Sequence, residues 1–322
     1  MSSNPSSQVA ALRALTDQPE AAANLAASII EGNHGKDVLL AALKVLAKNP
    51  TDAARPALRK LYERFSRDKG KHDQGGYMRR AVLDALRAAA RPADAGWLAQ
   101  ACETYEFWPP DFTEDAVIIR AAALVALMEV DDDLARYHAA RLLVDAYTAR
   151  MTGEPAVSAA RVLGALGETL PLYLVACQNI PHEDRAPTVF PEVAAECLRQ
   201  LTSLPVAMVE RLLELYAATP SSIIRMGLID LLLHHQEGPL GQTYRVRFLD
   251  ETSDIDIYRY LVMSIVLAGH EVPLNDLRQA AYRERRRAKL EILLEAATIL
   301  AHHPEFGELA AHLRAKVLEG KR

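Results

Sequence analysis

The chain has 322 residues, of which 50% are hydrophobic and only 6% aromatic. That balance favours closely packed helices over a barrel that encloses a ligand. The net charge is −5, and the three cysteines lack the paired spacing of a disulfide framework or a zinc site. No apolar run approaches the roughly 18 residues of a membrane span, and the N-terminus lacks the basic and apolar stretches of a secretion signal. We therefore expect a cytoplasmic location and no membrane partner.

Residues 1–7 are predicted to be a disordered tail, with the first helix beginning near Gln8. After it, eight segments share one apolar template and start 31 to 41 residues apart. A period in this range is typical of a stacked-helix solenoid. The copies are LLAALKVL from Leu39, RRAVLDAL from Arg79, RAAALVAL from Arg120, AARVLGAL from Ala159, AAECLRQL from Ala194, RMGLIDLL from Arg225, RYLVMSIV from Arg259 and LLEAATIL from Leu293.

Two template positions are apolar in every copy and predict the buried face of the inner helix of each pair. The fifth position holds Leu43, Leu83, Leu124, Leu163, Leu198, Ile229, Met263 and Ala297. The eighth position holds Leu46, Leu86, Leu127, Leu166, Leu201, Leu232, Val266 and Leu300.

The outer helices are predicted near 53–66, 93–105, 132–149, 169–178, 205–218 and 273–286. Prolines follow most template copies, and Asp131-Asp132-Asp133 follows Leu127 instead; both patterns mark helix starts. The stretch Gln242 to Leu249 alternates like a strand, so we expect a short or distorted helix there. Residues 305–318 are predicted to form a C-terminal capping helix.

The chain resembles the HEAT-repeat family, in its short bacterial form, most clearly in residues 115–124 and 155–167. The resemblance implies a single all-α, right-handed α-solenoid of about eight antiparallel helix pairs over residues 8–322. It also implies a protein-binding scaffold. Some members of the family are enzymes: bilin lyases, deoxyhypusine hydroxylases and alkylpurine DNA glycosylases.

The hydroxylase-like members bind two irons through repeated His-Glu pairs on inner helices. Here the pairs are His182-Glu183 and His270-Glu271, and both lie in proline-flanked connectors. We therefore expect no metal and no other cofactor. Glycosylase-like members grip DNA in a basic channel, whereas the aromatic segment of this chain lies in an acidic region that repels phosphate.

That aromatic segment supplies the candidate partner-binding residues Tyr105, Phe107, Trp108, Asp111 and Phe112. Aromatic side chains exposed on a rigid loop are typical anchors for a partner. In the alternative, which we favour, Trp108 and Phe112 fold back to fill the gap between neighbouring repeats, because large apolar side chains usually find cover.

Charge is distributed unevenly along the chain, with a balance of +8 in residues 36–91, −15 in 92–277 and +4 in 278–322. The candidate basic patch is Arg59, Lys60, Arg79 and Arg80. We expect a non-catalytic scaffold that binds a protein or peptide along the concave face of the inner helices. The alternatives are an enzyme or enzyme subunit of the bilin-lyase type and nucleic-acid binding through the basic block 36–91.

Overall fold

The computed structural model describes residues 5–178, 189–217 and 219–319, which are mostly helical. Two short strands, β1 (Phe107–Trp108) and β2 (Thr113–Glu114), form a small antiparallel hairpin. The helices within the described residues are α1 (Pro5–Ala14), α2 (Pro19–Glu31), α3 (Lys36–Lys48), α4 (Arg55–Gly70), α5 (Tyr77–Leu86), α6 (Ala95–Ala101), α7 (Val117–Met128), α8 (Asp132–Leu143), α9 (Ala156–Ala165), α10 (Thr169–Gln178), α11 (Pro191–Gln200), α12 (Val206–Leu215), α13 (Ser222–Leu233), α14 (Gln242–Glu251), α15 (Ile255–Ala268), α16 (Glu271–Arg283), α17 (Arg287–Ile299) and α18 (Pro304–Glu319).

The chain forms two compact units, Met1–Leu166 and Gly167–Arg322. The first holds α1 to α9 and the hairpin, and the second holds α10 to α18. The sequence was expected to form one continuous solenoid over residues 8–322, and we describe each unit by itself. None of the described helices combines the length and the apolar character of a membrane span.

All eight template copies lie on odd-numbered helices, α3 to α17, which we call the template helices. The fifth template position is buried in seven copies and only half-buried at Met263. The eighth is buried in seven copies and half-buried at Leu166. The prediction that these two columns form the buried face is thus confirmed by the side chains themselves.

The buried columns explain how the helices pack. In the first unit, α3 packs against α5, α5 against α7 and α7 against α9, and α2, α4, α6 and α8 each pack against the template helix that follows. In the second unit, α11, α13, α15 and α17 pack in the same successive manner. This is the packing expected of a helical repeat, in which each unit buries its apolar face on its neighbours.

Helix starts follow from local chemistry. Asp131 caps α8 by accepting a hydrogen bond from the backbone N–H of Leu134 at 2.9 Å, so the aspartate run does begin a helix, as predicted. Asp254 caps α15 in the same way. Pro191 and Pro304 stand in the first turn of α11 and α18, where a missing N–H costs no hydrogen bond.

Several boundaries differ from expectation: α6 ends at Ala101 and α8 at Leu143, before the predicted 105 and 149, and α4 continues to Gly70, past the predicted 66. Helix α1 begins at Pro5, within the segment expected to be a disordered tail, and residues 1–4 lie outside the described part. The capping helix is one residue longer at each end than residues 305–318.

The stretch Gln242 to Leu249, expected to be a short or distorted helix, forms the ten-residue α14, which is short but not distorted. Its buried Arg245 pairs with Asp276 of α16 at 3.1 Å, a contact that local alternation does not reveal.

In the second unit, the connection between α16 and α17 is organised around the carboxylate of Glu284. This carboxylate accepts the backbone N–H groups of Arg285 at 2.8 Å and Arg286 at 2.7 Å. Lys289 Nζ lies 3.7 Å from it and 4.1 Å from the centre of the buried Tyr258 ring. Burial raises the pKa of Glu284, but hydrogen bonds from the Arg286 side chain and the two N–H groups outweigh it and bring the pKa to about 2.

A lowered carboxyl pKa makes the stability of the fold depend on pH in the acid range. The stabilisation from ionised Glu284 is fully present above the unfolded pKa of about 4.3 and is lost as the pH falls towards 2. We expect Glu284→Gln to be less stable than the wild type at pH 7 and the difference to shrink steadily towards pH 2. Urea unfolding between pH 7 and 2 measures this. An equal difference at both ends would contradict it, and Glu291→Gln, in an exposed ion pair, serves as the control.

Candidate functional site

The predicted aromatic loop forms a β-hairpin, residues 105–114, which we call the aromatic hairpin. Phe107 pairs with Glu114 and Trp108 with Thr113. The hairpin reverses direction over residues 109–112, where Phe112 adopts a φ of 49°. This left-handed region is uncommon for residues other than glycine. The segment connects α6 to α7 within the first unit.

The hairpin exposes large aromatic side chains. Phe112 is 65% exposed and Phe107 is 41% exposed, so the expectation that Phe112 folds back into a gap was wrong. Asp111 at the tip is exposed as well. Trp108 is half-buried, and its indole N–H finds no hydrogen-bond partner among the residues that the structure describes.

Tyr147, a residue that the sequence analysis missed, joins the exposed aromatic side chains. Its ring lies edge-on to Phe107 at 5.1 Å and to Tyr105 at 5.7 Å between ring centres, and 49% of it is exposed. We call Tyr105, Phe107, Tyr147 and Phe112 the aromatic cluster. Edge-to-face pairs of this kind stabilise one another beyond simple burial, so Tyr105, Phe107 and Tyr147 hold one another in one arrangement.

A buried arginine on α7 ties the hairpin to the helices. The Arg120 side chain is fully buried and bonds to two carboxylates, Glu114 of β2 at 2.8 Å and Asp145 after α8 at 3.1 Å. It also donates to the carbonyl oxygen of Thr104 at 2.9 Å. Its guanidinium lies 4.1 Å from the centre of the Tyr105 ring, which adds a cation–π contact. Arg120 thus fixes both ends of the hairpin.

Tyr105 is held at its hydroxyl as well as its ring. The hydroxyl donates to Asp145 at 3.2 Å and accepts from Arg141 of α8 at 2.8 Å. Arg141 also donates to the carbonyl oxygen of Cys102 at 2.7 Å. Burial raises the pKa of the Cys102 thiol to about 12, so this cysteine stays protonated and does not act as a nucleophile.

The backbone of the hairpin is anchored through Glu114 and Glu106. The carboxylate of Glu114 accepts the backbone N–H of Glu106 at 3.2 Å and that of Ala116 at 2.7 Å. The N–H of Asp115 donates to the carbonyl oxygen of Glu106 at 2.9 Å. The side chain of Glu106 is itself buried and accepts from Arg79 of α5 at 2.8 Å.

Arg79 therefore belongs to a second buried ion-pair network and not to the predicted basic patch. Its side chain is 1% exposed and also bonds to Asp73 at 3.0 Å. Burial lowers the pKa of Arg79, but its bonds to Glu106 and Asp73 outweigh this and raise it. Gly70 lies against the Arg79 side chain, and a Cβ atom at this position would lie 2.4 Å from Arg79 Nη2. The backbone φ of Gly70 is +75°, so only glycine fits here without strain.

The other members of the predicted basic patch lie at the surface. Arg59 pairs with Glu63 at 3.3 Å, and Arg80 lies 3.6 Å from Asp84. Lys60 is exposed. With Arg79 buried, the four residues do not form one exposed basic surface, and nucleic-acid binding through the block 36–91 stays a prediction.

The two arginine networks follow one pattern in the sequence. Arg79 and Arg120 both occupy the first template position, and each bonds to an acidic residue six positions earlier, Asp73 and Glu114. Each also bonds to a second acidic residue beyond the next outer helix. This recurrence was visible in the aligned copies as an arginine with an acid six residues before it, and it could have revealed both networks.

The His-Glu pairs considered in the sequence as metal ligands form no metal site within the described residues. His270 precedes the first residue of α16, and His182-Glu183 lies outside the described part of the chain. Over residues 5–178, 189–217 and 219–319, the structure brings together no group of three or more histidine, cysteine, aspartate or glutamate side chains that could hold a metal ion.

No protein-family model matches this chain, and no curated protein matches its sequence.

Proposed function

We propose that the protein is a non-catalytic scaffold that binds a protein or peptide segment through the aromatic cluster. The proposal includes a HEAT-like, right-handed solenoid as the frame that presents the cluster. One observation carries the functional part: exposed Phe107 and Phe112 stand on a hairpin whose base is held by a fully buried ion-pair network, and exposed Tyr147 packs against Phe107.

Rigid exposed aromatics favour binding for two reasons. Aromatic side chains bury a large area and dominate the energetics of many interfaces. Ordering a mobile loop on binding costs free energy, and a hairpin already fixed by Arg120 and Glu114 avoids much of that cost. The buried ion pairs of Arg120 would therefore contribute to binding as well as to the stability of the fold.

Charge favours a basic partner. Residues 92–166 carry 12 acidic and five basic side chains, and the tip of the hairpin exposes Asp111. Glu106, Glu114 and Asp145 are buried and ion-paired, and the remaining acidic side chains still outnumber the basic ones, so they attract and orient a positively charged segment. We therefore propose a peptide with an apolar anchor side chain flanked by lysine or arginine.

The template helices offer a second contact. A shallow groove of about 110 Å³ lies along α7, lined by Ile118, Ala122 and Val125, with Arg80 and Glu154 at its edges. The small side chains let another chain approach the helix closely. A groove of this volume accommodates no more than a single side chain of a bound segment.

Selection from a displayed library of random twelve-residue peptides tests the proposal. Selected peptides are expected to combine an apolar residue with flanking lysine or arginine and to bind at about micromolar Kd, more weakly at high salt. Phe107→Ala/Phe112→Ala is expected to weaken that binding at least tenfold, about the loss of one strong anchor.

Tyr282→Ala is the matched control, because Tyr282 is an aromatic residue of similar exposure (47%) on α16. Its binding should stay within about twofold of the wild type. Peptides selected without a basic bias would contradict the proposed partner, and unchanged binding by the double variant would contradict the site.

A further inference from the structure

A cleft of about 460 Å³ opens between the outer helices α4 and α6, next to the base of the aromatic hairpin at Glu106. Helix α2 packs on α4 and α6 packs on α8, whereas α4 and α6 are not among the outer helices that pack closely. The cleft occupies this gap in the outer layer of the first unit. Its volume lies in the range of natural small-molecule sites, roughly 300–1,000 Å³.

One face of each helix lines the cleft. On α4 the lining residues are Arg59, Tyr62, Ser66 and Arg67, with Glu63 beside them. Spacings of three and four residues place these side chains on one side of the helix. On α6 and just beyond it the lining residues Trp97, Gln100, Ala101 and Thr104 follow the same spacing.

Aromatic rings form one wall. Trp97 is half-buried and stands edge-on to the buried Tyr62, with ring centres 5.1 Å apart and an interplanar angle of 88°. Burial raises the pKa of Tyr62, so its hydroxyl stays protonated and able to donate. The tryptophan wall suits a planar ring, because stacking on an aromatic face stabilises any flat π-system.

Cations line the α4 side of the cleft, beside Tyr62 and across from Trp97 of α6. Arg67 is exposed and pairs with no acidic side chain that the structure describes. Arg59 and Glu63 form an ion pair at 3.3 Å with both side chains more than half exposed, and such a pair rearranges at little cost. At the floor, Arg79 is already neutralised by Glu106. The surrounding block, residues 36–91, has a balance of +8, so the cleft favours an anion.

We infer that this cleft binds a small organic anion with a planar ring, of the class of a nucleoside monophosphate. The ring stacks on Trp97 and its polar edge meets Gln100, while the phosphate bonds to Arg67 and Arg59. A guanidinium suits phosphate because its fork of N–H groups matches the oxygens. Ring and anion together fill a cleft that neither fills alone. Glu106 and Thr104 belong both to the cleft lining and to the base of the aromatic hairpin, but the residues proposed to bind the ligand lie outside the aromatic cluster.

Fluorescence titration tests the inference on the full chain. The chain has two tryptophans, so in a Trp108→Phe background the emission comes from Trp97 at the cleft. Adenosine 5′-monophosphate is expected to quench it with a Kd of about 10 to 1,000 μM. Adenosine and inorganic phosphate serve as the two partial probes, and each should bind at least about tenfold more weakly.

Two charge-reversing substitutions on α4 distinguish binding in the cleft from a general effect of the charge of the surface. Arg67→Glu is expected to weaken binding of the nucleotide at least about tenfold. Lys60→Glu makes the same change of charge at an exposed residue that does not line the cleft, and it should leave the Kd within about twofold.

The remaining outcomes overturn the inference. No quenching by the nucleotide up to 10 mM would exclude a ring-and-anion site. Equal affinity for adenosine would exclude the role of the cations, and equal affinity for phosphate would exclude the role of Trp97. Equal loss in both charge-reversed variants would reduce the effect to the basic surface as a whole.

Discussion

Arg120→Met is expected to destabilise the first unit by about 3–5 kcal/mol, among the largest effects of any single substitution in this chain. The substitution leaves Glu114 and Asp145 charged, with side chains only 3% exposed. It also removes the donor to the Thr104 carbonyl and the cation over the Tyr105 ring. Urea unfolding followed by circular dichroism measures the loss, and peptide binding by the aromatic cluster should fall with it.

A triple variant tests whether the loss of stability in Arg120→Met comes from the two buried carboxylates that are left without a cation. Arg120→Met/Glu114→Gln/Asp145→Asn removes the two carboxylate charges together with the arginine, so it should be more stable than Arg120→Met alone. Arg136→Met breaks an exposed pair with Asp133 and should cost less than about 1 kcal/mol. A triple variant no more stable than the single one would show that Arg120 acts through packing instead of charge.

Leu124→Ala is the second substitution with a large expected effect, and it should lower the free energy of unfolding by about 2–5 kcal/mol. Leu124 occupies the fifth template position on α7 and is fully buried, and α7 packs on both α5 and α9. Removing three carbon atoms leaves a cavity between three template helices, which relax only in part. The free energy of unfolding in urea gives the cost.

Val125→Ala is the control for the leucine substitution, because Val125 is the next residue on the same helix but only half-buried. It should cost less than half as much, since less apolar area is lost from a site open to water. Equal costs at the two positions would mean that the template column is not the packed seam between the helices.

The repeat could be predicted from the sequence because its signal is local and periodic. A buried helix face recurs every three or four residues, so the columns containing Leu83, Leu124 and Leu163 stand out without any knowledge of the partners. Aspartate runs and prolines mark helix starts by equally local chemistry.

The candidate site could be predicted only in part, because its geometry depends on distant residues. Phe107 and Phe112 were recognisable as aromatic candidates, but their exposure depends on how the hairpin packs. Arg79 reads as a surface cation in isolation, and its burial is decided by Glu106, 27 residues later. Tyr147 joins the site across 40 residues from Phe107, and no local pattern connects the two.

The central claim is that the hairpin is held in its binding arrangement before any partner arrives. Hydrogen–deuterium exchange of the free protein tests it at the backbone N–H groups of Glu106, Asp115 and Ala116, which all donate within the hairpin base. We expect these three to exchange as slowly as the amides in the middle of α7 and to lose that protection in Arg120→Met. Fast exchange at all three in the free wild-type protein would contradict the claim.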